Sequence, residues 1–180
     1  MAEPVSPARR LLMRAAFIGL ALLVMFVHLL PLNTQPRPWA PPDLIVAFAF
    51  AWSLRRPDFV PILIIAAVMM TADLMLQRPP GLWALLVVLG CEYLKTRTAG
   101  LRESGFAGEW LAVCLTLAAI TVANRVVLAL LGVPQAQLGL SLIQMLATMA
   151  IYPAVVFASQ TLMGVRKPAP GDSGALGSRA

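Results

Sequence analysis

The chain has 180 residues, 59% of them hydrophobic and only 12% charged, with a mean hydropathy of +0.81. A soluble domain carries roughly 45–50% apolar and about 25% charged residues, so this composition excludes a water-soluble fold, together with the disordered, collagenous and disulfide-rich classes. The net charge of +6 would raise nucleic-acid binding in a soluble protein; here the placement of the basic residues reports on topology instead.

A helix needs about 20 apolar residues to cross a bilayer, which leaves room for several spans and no sizeable soluble domain. Apolar runs bounded by charges, Pro and Gly predict spans over Leu11 to Leu32, Asp43 to Leu54, Phe59 to Leu76, Leu82 to Leu94, Glu109 to Leu131 and Leu138 to Met163. The expected architecture is an all-α polytopic membrane protein with six transmembrane helices over residues 11–163. A basic N-terminus over 1–10 precedes it and a Pro-, Gly- and Ser-containing tail over 164–180 follows it, the tail expected to be disordered in the cytoplasm.

Arg9 and Arg10 stand ahead of the first run. No small-x-small cleavage site follows and five more spans come after, so the pair reads as a cytoplasmic anchor rather than an export signal. Within the first span, Ala15 and Gly19 form a small-xxx-small step that permits close helix approach, either inside the bundle or against a partner helix.

The second run, Asp43 to Leu54, would extend only about 18 Å as a helix, against a hydrocarbon core of ~30 Å. Charge decides whether it crosses. With six spans and the N-terminus inside, eleven basic residues are cytoplasmic: Arg9, Arg10, Arg14, Arg55, Arg56, Lys95, Arg97, Arg102, Arg166, Lys167 and Arg179. Only Arg37 and Arg78 lie outside, and Arg125 lies within a span. If the second run did not cross, four basic residues would be inside and nine outside, so the positive-inside rule favours six spans with both termini in the cytoplasm. Trp39, Trp52, Trp83 and Trp110 all fall near predicted span ends, where indole rings favour the headgroup boundary.

Polar residues inside spans are the candidate functional groups, because an ionised side chain at the bilayer centre costs about 3 kcal/mol or more. Arg125 lies about 24 Å along its helix from Glu109, and Asp73 about 21 Å from Phe59. The matched depths predict an Asp73–Arg125 ion pair in the outer half of the bundle, with Asn124, Gln77 and Gln144 satisfying the remaining donors and acceptors. The alternative is that each charge reaches the headgroups by itself. On the last span Ser141, Gln144, Thr148 and Tyr152 share one face, expected to turn inward either as the wall of a small polar cavity or as interhelical hydrogen-bond partners.

Signatures of catalysis are absent, and no enzyme is expected. Asp73 is the one acidic residue expected deep in a span, so no intramembrane carboxylate pair is available; Gly139-Leu140-Ser141-Leu142 lacks the second glycine of a rhomboid-like context. One histidine, His28, and two cysteines, Cys91 and Cys114, offer neither a metal site nor a disulfide framework, and the thiols read as small apolar fillers. No cofactor is expected.

The order of features carries a resemblance. A basic N-terminus and a long span lead to a proline-rich outer segment, then to Pro42-Asp43-Leu44 opening the short second span and the turn Arg55-Arg56-Pro57. The third span ends in Ala72-Asp73-Leu74 and is followed by Arg78-Pro79-Pro80-Gly81-Leu82-Trp83-Ala84-Leu85. Over Leu11 to Met163 this pattern resembles the bacterial rod shape-determining protein family MreD, of the inner membrane. The resemblance implies a non-enzymatic role in cell elongation and lateral peptidoglycan synthesis, with MreC as partner and, through it, MreB, RodA and a class B penicillin-binding transpeptidase. It also implies a bundle that looks like the substrate-capturing membrane subunits of energy-coupling-factor vitamin transporters. That likeness keeps a small-molecule-capturing role as the alternative, since fold alone does not transmit function.

Overall fold

The computed structural model describes residues 6–30, 39–103 and 105–165. Among them the chain forms α1 (Pro7–Leu29), α2 (Leu44–Arg55), a 3-10 turn (Pro57–Phe59), α3 (Ile62–Met75), α4 (Leu82–Glu103), α5 (Gly105–Leu130) and α6 (Leu138–Met163), with no strand. Helices α1, α5 and α6 are long and apolar enough to cross a membrane, and α2 and α3 are shorter apolar helices. The chain is thus all-helical and has the character of a transmembrane protein. The expected tail falls, beyond Val165, outside the described residues, as do Asn33, Thr34, Gln35, Arg37, Arg166, Lys167 and Arg179.

The helices run alternately up and down, so the bundle has two ends. Asp43, Arg78 and the α5–α6 connection gather at one, the Arg78 end; Arg14, Arg55, Asp58 and Glu109 gather at the other, the Arg55 end. Short α2 traverses the middle, with ten of its twelve residues buried. Its unusual length follows from that position. A helix surrounded by protein is apolar on every side and need not match the thickness of lipid.

Local chemistry sets the boundaries. Ser6 accepts from Arg9 N–H to cap α1, with Pro7 in the first turn. Asp43 Oδ1 accepts from Val46 N–H at 3.2 Å to start α2. Two prolines, Pro57 and Pro61, break the predicted third span at its start, so Phe59 sits in the 3-10 turn and α3 begins at Ile62. Conversely, α4 continues past the expected Leu94 to Glu103, because Lys95, Thr96 and Arg97 end an apolar run without ending a helix.

At the Arg78 end, α3 and α5 terminate in the same hydrogen-bonded motif. Arg78 N–H returns to Asp73 C=O at 2.9 Å and Gln77 N–H to Leu74 C=O; Val133 N–H returns to Leu128 C=O at 3.0 Å and Gly132 N–H to Ala129 C=O. The motif needs one left-handed residue. Gly132 (φ 66°) supplies it freely in α5, whereas in α3 the position is held by Gln77 (φ 53°), against its side-chain preference.

The core is built around α2. Trp52 packs against Phe17 of α1 (ring centroids 5.5 Å apart) and Phe59 (6.4 Å), while its Nε1–H donates to Ser159 Oγ of α6 at 3.1 Å. Trp52 is fully buried, which corrects its expected place at the headgroup boundary; exposed Trp39 and Trp110 remain compatible with one. The tight contact of α2, α4 and α5 passes through Gly90, where an added Cβ would lie 3.1 Å from Thr116 Cγ2 and 3.2 Å from Phe50 Cζ. Helix α6 contains Pro153, whose missing N–H leaves the Met149 carbonyl without its ladder partner. Trp110 of α5 fills that vacancy, donating Nε1–H to Met149 C=O at 3.0 Å.

Candidate functional site

Clusters of polar side chains from several helices meet at each end of the bundle. At the Arg55 end, Arg55 of α2 donates Nη2–H to Glu109 Oε1 (3.1 Å) and Oε2 (3.2 Å), and Tyr152 of α6 donates its hydroxyl to Glu109 Oε1 at 2.8 Å. Arg55 is 4% exposed and Glu109 and Tyr152 are 0% exposed, so three helices share one buried ionic network. Sequence reading placed Arg55 in a loop and Glu109 at a span margin, and so missed the pair. The available signal was Tyr152, which the inward face of the last span did identify.

At the Arg78 end, a cavity of about 330 Å³ lies between Asp43, the α3–α4 turn, α4, α5 and α6. It reaches from Pro134–Ala136 at the rim down to Leu117 and Thr148. The short hairpin after α3 brings Gln77, Arg78 and Trp83 to one wall; Thr121, Asn124 and Arg125 form the α5 wall; Ser141, Gln144 and Thr148 form the α6 wall. Four of the five residues predicted as an intramembrane polar cluster, Gln77, Asn124, Arg125 and Gln144, therefore line a common space.

The fifth does not, and the predicted Asp73–Arg125 ion pair is not formed. Asp73 Oδ2 instead accepts from Gly81 N–H (3.0 Å) and Ala84 N–H (3.1 Å) at the start of α4. Gly81 has no side-chain acceptor of its own, so a carboxylate from the neighbouring helix supplies the cap and meets the positive end of the α4 dipole. Equal depth along two helices says nothing about azimuth, and Asp73 faces α4. Arg125 donates Nη1–H to Ser141 Oγ at 2.8 Å and to Ala136 C=O at 3.2 Å, while Gln135 returns a bond to the Arg125 carbonyl at 3.0 Å.

The cavity wall does contain an ion pair that the sequence reading did not assign. Asp43 Oδ2 accepts from Arg78 Nη1–H at 3.2 Å, and Asp43 N–H donates to Thr148 Oγ1 at 2.9 Å. The Arg78 guanidinium also lies 5.9 Å from the centroid of Trp83. The Thr148 hydroxyl donates in turn to Gln144 C=O at 2.7 Å, so the α6 polar face serves both as interhelical partner and as cavity wall. Among the described residues the side-chain amides of Gln77, Asn124 and Gln144 make no hydrogen bond. Among the described residues no three His, Cys, Asp or Glu side chains form a metal-ligating group.

No protein-family model, curated protein or solved structure matches the chain.

Proposed function

We propose that the protein is a non-enzymatic membrane scaffold of the bacterial cell-elongation machinery, a six-span inner-membrane protein of the MreD type with both termini in the cytoplasm. It binds MreC and, through it, MreB, RodA and a class B penicillin-binding transpeptidase. The supporting observation is the state of α1. This helix stands at the edge of the bundle and buries only Phe17, Ala21 and Met25, while Ala15 and Gly19 face away from the other helices. An added Cβ at Gly19 would meet nothing within 4 Å. A small-xxx-small step that the bundle leaves unused is what a second transmembrane helix requires for close approach.

The test is co-purification with a tagged single-span periplasmic coiled-coil partner. Stable co-isolation that Gly19→Leu abolishes, at unchanged expression and thermal stability, supports the scaffold. Failure of the wild-type chain to retain the partner overturns it. The cavity at the Arg78 end favours a second reading, a small-molecule-capturing subunit of a vitamin-type transporter, which a small molecule retained through purification would support.

A further inference from the structure

The charge balance of the cavity is unequal. Two guanidinium groups, Arg78 and Arg125, line it with one carboxylate, Asp43, and that carboxylate is already paired to Arg78. Arg125 has no acidic partner among the described residues. Its Nη1 bonds to Ser141 and Ala136 fix the orientation of the planar group, and no acceptor among the described residues takes its Nε–H or Nη2–H. A guanidinium fork held in this way is preorganised for an oxyanion, because the rotamer entropy that binding would cost is already spent on structural bonds.

The neighbours extend the donor set. The Asn124 and Gln144 amides, without hydrogen-bond partners among the described residues, face the same space from α5 and α6. Gln77 brings a third amide from a left-handed backbone position that glycine would occupy with less strain. Polar groups that reach one cavity from several sides offer N–H donors in more than one plane, which suits the oxygens of a tetrahedral phosphate group better than a planar carboxylate. Leu117 and Met145 make the deeper wall apolar, as in pockets of about 300–1,000 Å³ that seat small ligands or parts of them.

We propose that the cavity between the α3–α4 turn, α4, α5 and α6 binds a singly charged phosphate-type oxyanion, with Arg125 as its principal ligand and Asn124 and Gln144 as hydrogen-bonding partners. One negative charge neutralises the one cation left over in the wall. The group is either the phosphate of a lipid headgroup or a free phosphate. This site is independent of the scaffold reading, since α1 does not contribute to it; loss of partner binding leaves it intact, and loss of phosphate binding leaves α1 intact.

Thermal unfolding of the delipidated, detergent-purified full chain tests the site with three compounds at constant ionic strength: inorganic phosphate, dihexanoyl phosphatidylglycerol, and dihexanoylglycerol, which lacks the phosphate. The expected result is a saturable rise in midpoint with one or both phosphate compounds and none with dihexanoylglycerol. The half-saturating concentration should rise about tenfold or more in Arg125→Gln and stay unchanged in Arg10→Gln. A phosphatidylglycerol effect about tenfold tighter than that of inorganic phosphate identifies a lipid headgroup; an equal or weaker one identifies a free phosphate. Should Arg125→Gln not fold, Asn124→Leu carries the test, since the Asn124 side chain makes no hydrogen bond among the described residues. Absence of a saturable shift with both phosphate compounds, or a shift that these variants leave unaltered, overturns the proposal.

Discussion

Arg55 and Glu109 form a two-oxygen contact through a single nitrogen: Nη2 lies 3.1 Å from Oε1 and 3.2 Å from Oε2, with Tyr152 donating to the same carboxylate. The pair joins α2 to α5, and the tyrosine adds α6. In an apolar bundle such a contact contributes less through its net attraction than through the penalty attached to leaving either member alone.

Single removal should therefore be severe. Arg55→Met is expected to destabilise the protein by about 3–5 kcal/mol, whereas Arg55→Met combined with Glu109→Met should recover part of that loss. Denaturant unfolding in detergent measures both; a double variant less stable than the sum of the singles would contradict the assignment.

Asp73 and Arg125 serve separate tasks and should behave independently. Asp73→Ala leaves two N–H groups of α4 without an acceptor and is expected to cost about 1–3 kcal/mol, with Asp73→Asn milder because an amide oxygen still accepts. Arg125→Ala should cost about 1 kcal/mol through loss of the Ser141 and Ala136 bonds. A double-mutant cycle should show coupling below about 0.5 kcal/mol; a larger value would restore the ion pair.

Two glycines predict opposite responses to one methyl group. Gly90→Ala presses on Thr116 and Phe50 and should destabilise the bundle by about 1–3 kcal/mol. Gly19→Ala meets nothing and should change stability by less than about 0.5 kcal/mol. Thermal midpoints of the two variants, measured side by side, check the contrast.

The proposed six-span topology requires the two ends of the bundle to lie in different compartments. With Cys91 and Cys114 replaced by Ser, single cysteines at exposed Asp58 and Ala136 should label from opposite faces in oriented membrane vesicles. Labelling of both from one face would overturn the six-span count and the orientation built on it.

Helix number and order were legible because apolar runs and proline or glycine breaks are local, and the last helix matches its predicted limits, Leu138 to Met163. The cavity was half legible. Gln144 and Thr148 share a face by simple periodicity, and Asn124 and Arg125 stood out as polar groups in an apolar run. The pairing was not, because depth along a helix is fixed by residue number while direction around the axis depends on packing. That is why Asp73 turned to α4 and Arg125 to Ser141. Arg55 and Trp52 were misplaced for a related reason. Their types favour boundaries, but α2 lies at the centre, where a guanidinium finds Glu109 and an indole finds Ser159.

The proline in α6 reverses the usual expectation for its residue type. Substituting alanine at Pro153 would let the main chain reclaim the Met149 oxygen, and the indole of Trp110 would be left competing for it. A change that improves one helix in isolation would thereby unfasten it from its neighbour, so the irregularity functions as a clasp rather than as a joint.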